Sequence, residues 1–223
     1  LLKKKVFNTI NIKNFNSNKN LKFITPYNKK IKKILFSSVV PEVFKNIKKY
    51  IKIKFSLEVK ELKQHNLKKI LKIDVNKKQV GSDRLANAIS VINNKDNFII
   101  LDFGTATTFD VVLKNRYKGG IIAPGVNLSL KTLVEKAKLI PNTKLMKIKN
   151  IIGKNTVNAV RSGFYWGYQG LIENIIKIIE NKTKKKFKIV FTGGLSHLYK
   201  NAIKKKITVD KDLTVKGLLR LID

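Results

Sequence analysis

Short uninterrupted runs of apolar residues mark the positions at which this chain is predicted to form buried strands. Runs of about four to eight such residues, bounded by glycine, proline or polar clusters, are typical of strands covered on both faces. They predict strands at residues 34–40, 53–59, 98–102 and 188–194. The segment 104–125 predicts a turn followed by two antiparallel strands, and the segment 207–223 predicts a short strand and a closing helix.

Helices are predicted where apolar residues recur every three or four positions. Pro41 begins one that extends to about Tyr50, because proline suits the first helical turn. From Gly81, the sequence GSDRLANAISVI predicts a tight turn and a helix, with Ser82 or Asp83 as its N-cap. Further helices are predicted at residues 128–137, at residues 156–181 and near Ala202.

The mixture of strand hairpins and helices indicates an α/β fold. The composition changes after a lysine-rich stretch, and we place a domain boundary near residue 97, between domains 1–97 and 98–223. With 223 residues, of which 43% are hydrophobic, the chain can bury a sizeable core and is not a disordered protein.

The formal net charge of +34 first suggests a nucleic-acid partner, because a basic surface attracts polyanions. Among 48 basic residues, however, the arginines are only Arg84, Arg116, Arg161 and Arg220. Arginine is preferred where bases and phosphates are recognised by paired hydrogen bonds, so its scarcity weakens this interpretation. The lysines also occur in every segment, and we expect no specific nucleic-acid partner.

Several classes of site and location are disfavoured by composition. The chain has no cysteine, which excludes disulfides and thiolate metal sites. Two histidines, His65 and His197, are too few for a histidine-rich metal site. The apolar runs are too short to cross a bilayer, and no signal-peptide pattern opens the sequence. By elimination we expect a cytoplasmic protein with no membrane partner.

The strongest chemical signal is the sequence DFGTATT, from Asp102 to Thr108, at the end of a predicted buried strand. Gly104 lets the backbone approach a phosphate closely. Backbone N–H groups and threonine hydroxyls can donate to phosphate oxygens, while the Asp102 carboxylate can hold a cation. An ordinary hairpin whose threonines merely suit strands is the alternative. The order of strand, acid, glycine and threonines favours a phosphate site.

A second signal is the sequence Gly81-Ser82-Asp83-Arg84 at the start of a predicted helix. In the structural alternative, Ser82 or Asp83 only caps helix amides and Arg84 is a solvated charge. In the functional interpretation, Asp83 accepts a hydrogen bond from a substrate hydroxyl and Arg84 holds a substrate carboxylate. The scarcity of arginine in this chain gives Arg84 some weight.

Two further motifs are weak when each is taken alone. Thr192-Gly193-Gly194 ends a predicted strand and lets backbone approach a nucleotide, although simple tight turns use the same residues. Asn155 and Thr156 begin the longest predicted helix, where such residues usually act as caps. The alternative is that the Thr156 hydroxyl faces a pocket.

Taken in order, these segments resemble the type III pantothenate kinases. The matching stretches are SSVVP (37–41), GSDRLANA (81–88), DFGTATTFDVV (102–112), GGIIAPGV (119–126), IGKNTVNAVRSGFYWGYQGLIE (152–173) and TGGL (192–195). Several co-linear motifs are far more specific than any one of them. The resemblance covers roughly residues 34–222 and implies ATP-dependent phosphorylation of pantothenate to 4'-phosphopantothenate, the first step of coenzyme A biosynthesis.

The resemblance implies the fold of the actin-like and sugar-kinase superfamily, with two ribonuclease-H-like lobes, mixed sheets flanked by helices, and nucleotide between the lobes. It also implies a homodimer, ATP with Mg²⁺, and a monovalent cation, either K⁺ or NH₄⁺. Family members begin with a strand ending in Asp-Ile-Gly-Asn-Thr, which contacts the ATP phosphates. This sequence holds no such segment, and residues 1–12 resemble the family's segment immediately after the first hairpin. We therefore expect a first lobe that lacks its first strand.

Roles for individual residues also follow from the resemblance. The pantothenate-binding stretch is matched by Gly81, Ser82, Asp83 and Arg84. Asp83 matches the proton acceptor, Asp102 the acid that binds the monovalent cation, and Thr105 an ATP contact. Thr156 matches a further pantothenate contact. Such a set suits phosphoryl transfer, in which a protein mostly positions the reactants and neutralises charge.

Two other classes of function stay open at this point. A kinase-derived regulatory or binding protein would keep the fold without catalysis, but the retained Asp83, Arg84, Asp102 and Thr105 argue against it. A lysine-rich nucleic-acid binder is the other alternative. Binding that vanishes at moderate salt and shows no sequence preference would reduce that alternative to nonspecific charge.

Overall fold

The computed structural model describes residues 16–38 and 40–222. The helices are α1 (Ser17–Asn20), α2 (Pro41–Phe55), α3 (Ser82–Val91), α4 (Val126–Lys136), α5 (Thr156–Thr183), α6 (Ser196–Tyr199) and α7 (Leu213–Leu219), with short 3₁₀ helices at Lys22–Lys30, Leu62–Gln64 and Leu67–Lys69. The strands are β1 (Ile34–Phe36), β2 (Val59–Glu61), β3 (Lys72–Ile73), β4 (Asn97–Phe103), β5 (Ala106–Leu113), β6 (Arg116–Pro124), β7 (Lys188–Gly193) and β8 (Ile207–Val209).

A six-stranded mixed sheet organises most of the chain, in the order β3-β6-β5-β4-β7-β8. Strands β4, β5 and β6 form an antiparallel meander, whereas β7 lies parallel to β4, β8 to β7, and β3 to β6. A two-residue turn joins β5 to β6, and its first residue, Lys114, has a left-handed backbone. The predicted hairpin within residues 104–125 is therefore confirmed.

Helices cover both faces of this sheet because successive residues of a strand point to opposite sides. Phe98 and Ile100 of β4 pack with α3 and α7 in one buried cluster. Ile99 and Leu101 pack with α5 and α6 in a second cluster on the other face. The predicted α/β class, with a mixed sheet flanked by helices, is confirmed.

A smaller unit precedes the large sheet. Strands β1 and β2 pair in parallel and form a two-stranded sheet with Ile34 opposite Val59. Helix α2 lays Ile47 and Ile51 onto this sheet, and a buried cluster unites them with Leu21, Ile24 and Val59. The boundary expected near residue 97 stays a prediction, since β3 and α3 precede that position and pack on the large sheet.

Three expectations about individual elements are wrong. The strand expected at 53–59 begins only at Val59, because α2 continues to Phe55 and adds a further helical repeat to the face of Ile47 and Ile51. The strand expected at 34–40 ends at Phe36. The helix expected near Ala202 is instead the short α6, which ends at Tyr199.

The expectation that residues 1–12 correspond to the family's segment after the first hairpin concerns residues outside the described ranges. The same holds for Val39 within the strand predicted at 34–40. Within 16–38 and 40–222, no helix is both long enough and apolar enough to cross a membrane.

Candidate active site

The first turn of α3 carries the predicted substrate-binding stretch. Gly81 is the N-cap, with an extended backbone and no side-chain cap, and Ser82 is already the first helical residue and is buried. The expectation that Ser82 or Asp83 caps this helix is therefore wrong. The half-buried Asp83 follows in the first turn, where its Oδ1 accepts a hydrogen bond of 2.8 Å from the amide of Arg84. A carboxylate here is also favoured by the positive end of the helix dipole.

Asp102 lies one residue before the end of β4, on the sheet face that α3 covers. Its Oδ2 accepts a hydrogen bond of 3.1 Å from the side-chain amide of Asn87, which is completely buried in α3. The Asn87 carbonyl in turn accepts a hydrogen bond of 2.7 Å from the hydroxyl of Thr214 in α7. Two helices therefore fix the orientation of this carboxylate.

Hydrogen bonds from α3 to Asp102 of β4 and to Asp110 of β5 bring the first turn of α3, with Asp83, to the same side of the sheet as these two acids. Burial raises the pKa of Asp102, the hydrogen bond from Asn87 opposes that rise, and the negative charge of Asp83 adds to it. Burial is also the main cause that raises the pKa of Asp110 on β5, and the charge of Asp83 adds a smaller rise. The first turn of α3 and the end of β4 thus border one acidic site.

The second oxygen of Asp102 is available to a cation. Within the described residues Oδ1 makes no hydrogen bond, and two glycines leave space around it. Gly193 has a left-handed backbone (φ 83°), and a Cβ there would lie 2.6 Å from Oδ1. A carboxylate oxygen beside bare backbone suits a hard cation, which takes oxygen ligands. Asp102 Oδ1 could therefore hold a hard cation.

The threonines of the DFGTATT sequence fall into two environments. Thr105 is exposed in the turn between β4 and β5, where a ligand could reach it. Thr107 is buried on the α5 face, whereas Thr108 pairs with Asp102 across the two strands. The hydroxyls of Thr107 and Thr108 are buried without a hydrogen-bond partner among the described residues. Thr192, also buried, is opposite Asp102 on β7.

Arg84 is bound to Asp110, a contact that the sequence did not reveal. Its Nε donates a hydrogen bond of 2.8 Å to Asp110 Oδ1, and its Nη2 lies 2.7 Å from the same oxygen. The hydroxyl of Tyr117 donates to this oxygen at 2.5 Å. Burial opposes the charge of Arg84, but the charge and hydrogen bond of Asp110 outweigh it, so the pKa of Arg84 is raised.

Thr156 is not brought to the acidic site by the described part of this chain. It is the exposed first residue of α5, and Asn155 caps that helix by accepting a hydrogen bond of 2.9 Å from the amide of Asn158. Helix α5 packs on the sheet face opposite α3. The role expected for Thr156 stays a prediction.

Sequence reasoning missed four supporting residues: Asn87, Asp110, Tyr117 and Thr214. A signal was present for Asp110, because an acid inside the apolar strand sequence FDVV must find a partner when it is buried. The surface cavities lined by Lys33 and Ile222, of about 380 Å³, and by residues of α4, of about 660 Å³, lie elsewhere.

Comparison with known proteins places the chain in a family. A sequence profile of the type III pantothenate kinases matches residues 10–178. A type III pantothenate kinase from Pelagibacter ubique strain HTCC1062 is 56% identical over 220 residues, which cover 99% of this chain and 89% of that protein. One from a Sulfurihydrogenibium species is 40% identical over 191 residues, covering 84% and 75% of the two chains.

A solved structure supports the fold. A protein from Campylobacter jejuni, described as a Baf family transcriptional activator, superposes with a TM-score of 0.60 at 22% identity, over 89% of this chain and 86% of that one. At this identity the likeness concerns the fold alone. On the profile match and the two sequence relatives, this chain belongs to the type III pantothenate kinase family.

Proposed function

We propose that this protein transfers the γ-phosphoryl group of ATP to pantothenate, giving 4'-phosphopantothenate for coenzyme A synthesis. One observation carries the proposal: α3, whose first turn holds Asp83, is hydrogen-bonded through Asn87 to Asp102 of β4, so two carboxylates from separate elements border one site. Phosphoryl transfer from ATP to an alcohol needs a group that orients the hydroxyl and positive charge that offsets the phosphates. Family membership supplies the identity of the alcohol.

Asp83 is the proposed proton acceptor. Its Oδ1 is held by the Arg84 amide, which fixes the carboxylate at the start of α3. The carboxylate would accept a hydrogen bond from the primary hydroxyl of pantothenate and take its proton as the new O–P bond forms and the bond from the γ-phosphorus to the departing ADP breaks. Gly81, Ser82 and Arg84 belong to the same turn and are the proposed contacts to the rest of this substrate.

Asp102 is the proposed ligand of a monovalent cation, K⁺ or NH₄⁺. The bound cation would offset negative charge on the phosphates of ATP. It would also relieve the repulsion between Asp102 and Asp83, which adds to the rise that burial causes in the pKa of Asp102. Asn87 would hold the carboxylate in place by its hydrogen bond to Oδ2.

Magnesium is proposed to arrive with ATP as its counter-ion. Within residues 16–38 and 40–222, no group of three or more histidine or acidic side chains is arranged to hold a metal ion. Mg²⁺ that keeps most of its ligands from water and phosphate needs few from protein. Thr105, exposed in the turn after β4, is the proposed contact to ATP.

The remaining contacts are proposed on family grounds. Thr156 is the proposed further contact to pantothenate, and a homodimer in the cytoplasm is the proposed state of the protein. Because α5 lies on the opposite face of the sheet from α3, a second copy of the chain is one way for Thr156 to approach an acceptor site.

Steady-state kinetics of the full-length protein test the proposal. We expect potassium-dependent, ATP-dependent phosphorylation of pantothenate, and loss of general-base catalysis in Asp83→Ala should lower kcat by about 10²-fold or more. Asp96→Ala is the control, since this acid lies just before β4 and pairs with Lys188 outside the site. The proposal fails if the protein phosphorylates nothing or if Asp83→Ala keeps the wild-type rate. The first result would favour a regulatory protein without catalysis.

A further inference from the structure

A buried charge on β5 has no part in the proposed chemistry. Asp110 is completely buried in the middle of the strand, and its side chain faces α3. Burial raises the pKa of its carboxyl, while Arg84 and Tyr117 oppose that rise. A buried ion pair is seldom a net gain in stability compared with apolar residues of the same volume. Its presence beside Asp83 therefore calls for a role other than stability.

Two hydrogen bonds and one close ion-pair contact converge on one oxygen of this carboxylate. Arg84 Nε, Arg84 Nη2 and the Tyr117 hydroxyl lie 2.8, 2.7 and 2.5 Å from Asp110 Oδ1. Because Nε and Nη2 belong to the same edge of the planar guanidinium, this contact fixes the plane and the direction of the whole group. Tyr117 is itself completely buried, so its hydroxyl holds Oδ1 from the side of β6.

The sheet leaves room for the guanidinium at Gly120. A Cβ at this position would lie 2.5 Å from Arg84 Nη2 and 2.1 Å from the carbonyl oxygen of Phe109. Gly120 pairs with Asp110 across β5 and β6. The absence of a side chain at Gly120 therefore leaves room for the guanidinium beside the Asp110–Gly120 pair.

The far side of the guanidinium stays free for a ligand. Nη1 makes no hydrogen bond to any residue of 16–38 or 40–222, and Nη2 contacts Asp110 without making a hydrogen bond of good geometry. The arginine side chain is 13% exposed. The Nη1 amino group carries two N–H donors, so it can still donate to a carboxylate of the ligand, while the buried Nη2 stays against Asp110.

We propose that Asp110 and Tyr117 are positioning residues that aim Arg84 at the carboxylate of the acceptor, and so make the enzyme select an acidic acceptor over its uncharged analogue. This inference rests on the proposed function. Pantothenate ends in a carboxylate, and the analogue in which a CH₂OH group replaces that carboxylate has the same reacting hydroxyl. Because the guanidinium is already fixed, less side-chain entropy is lost when it binds a carboxylate. This advantage applies to pantothenate and not to the alcohol analogue.

The test compares kcat/KM for pantothenate and for the alcohol analogue in wild type, Asp110→Asn and Tyr117→Phe. We expect Asp110→Asn to raise KM for pantothenate by about tenfold, as for loss of one well-placed charged hydrogen bond, with little change for the analogue. Tyr117→Phe should also lower the ratio of kcat/KM for pantothenate to kcat/KM for the analogue, but by a smaller factor. Arg84→Ala should lose the same selectivity, and combining it with Asp110→Asn should add no further loss.

A matched control exists on the same sheet. Arg116 of β6 forms a similar pair with Asp74, with Nη2 to Oδ1 at 2.8 Å and Nε to Oδ2 at 3.2 Å, but this pair is outside the site. Asp74→Asn should leave selectivity unchanged. A second readout is the Nε–Hε NMR signal of Arg84, one of only four arginines, which should become mobile in Asp110→Asn while that of Arg116 stays as in wild type.

The outcomes separate this inference from the proposed function. Wild type that phosphorylates neither compound contradicts the proposed function, and the Arg84 signal then decides the positioning role by itself. Wild-type selectivity in a folded Asp110→Asn, or a rigid Arg84 in that variant, overturns the inference. If Asp110→Asn does not fold, Tyr117→Phe decides, and its retention of full selectivity and of a rigid Arg84 overturns the inference equally.

Discussion

Buried polar residues around Asp102 and Arg84 make the difference between an acidic patch and an organised site. Asn87 is completely buried, and both ends of its amide are used: one donates to Asp102, and the other accepts from Thr214. The Thr214 hydroxyl therefore decides which way the amide points. Because an unsatisfied buried amide is costly, this chain of hydrogen bonds fixes Asp102 Oδ2 and leaves Oδ1 for a cation.

The raised pKa of Asp102 predicts how stability changes with pH. Its folded-state pKa lies above the ordinary value of 3.8, mainly because of burial, so the folded protein holds this proton to a higher pH than the unfolded chain does. The free energy of unfolding that this group contributes is therefore greatest at low pH and falls as pH rises from about 3.8 through the folded-state pKa.

Asp102→Asn should remove the fall in the free energy of unfolding that the ionisation of Asp102 causes as pH rises. We expect the variant to unfold at a higher temperature than wild type near pH 8, and the difference to shrink as pH falls toward 4. Calorimetry in tetramethylammonium buffers, which supply no small monovalent cation, measures this difference. A variant that is less stable than wild type at pH 8, or a difference that is independent of pH, would contradict the environment described for Asp102.

The residues proposed to meet the ligands could be singled out from the sequence more readily than those that support them. Asp83, Arg84 and Asp102 stand at a turn, beside a glycine or at a strand end, where local sequence already favours chemistry. Asn87 looks like an ordinary helical residue. Its partner Thr214 is 127 positions away, and the partner of Asp110 is 26 positions away, so no local pattern reveals either contact.

At the level of elements, the contact between α3 and α7 supports the site from behind. Gly217 of α7 lies against the backbone of Ala86, and a Cβ there would be 1.9 Å from its carbonyl oxygen. Leu213 of α7 joins Leu85 and Ile89 of α3 in one buried cluster. This close approach of the helices brings the Thr214 hydroxyl to the side chain of Asn87, which in turn donates a hydrogen bond to Asp102.

Gly217→Ala should push the two helices apart. We expect the free energy of unfolding to fall by about 1–3 kcal/mol, as for other overpacked sites, with Tm lower by roughly 2–4 °C for each kcal/mol. Thermal unfolding measures it, with Gly163→Ala in α5 as the control. Gly163 is exposed, and a Cβ there meets nothing within 4 Å, so alanine should preserve or raise Tm. A Gly217→Ala protein as stable as wild type would contradict the packing.

Elements whose apolar residues recur with a clear helical or strand period could be predicted from the sequence. Elements whose apolar residues suit both a helix and a strand could not. The strand at 98–102 and the helix at 156–181 agree with β4 and α5 to within a few residues. At residues 53–59 the β-branched and apolar residues suit a strand, yet Phe55 packs with the same cluster as Ile47 and Ile51. Because of this tertiary contact, α2 continues to Phe55 and β2 begins only at Val59.

At the scale of the whole molecule, the residues that carry the net charge are not the residues that form the site. The net charge of +34 is carried over the surface, and several acids pair there with lysines, as Asp96 does with Lys188 and Asp210 with Lys216. Exposed pairs of this kind contribute little to stability. The acids that define the site are instead half-buried or buried at the junction of α3, β4 and β5. The α/β class was predictable from periodicity, whereas this junction required the layered packing of distant segments.

A crystal structure of the protein with pantothenate, K⁺ and a non-hydrolysable ATP analogue would show directly whether Asp83 and Asp102 serve one reaction. We expect the primary hydroxyl of pantothenate within hydrogen-bond distance of the Asp83 carboxylate, about 2.6–3.2 Å, and the cation and phosphates on the side of Asp102. Pantothenate bound away from Asp83, or a nucleotide whose phosphates lie far from Asp102, would contradict it.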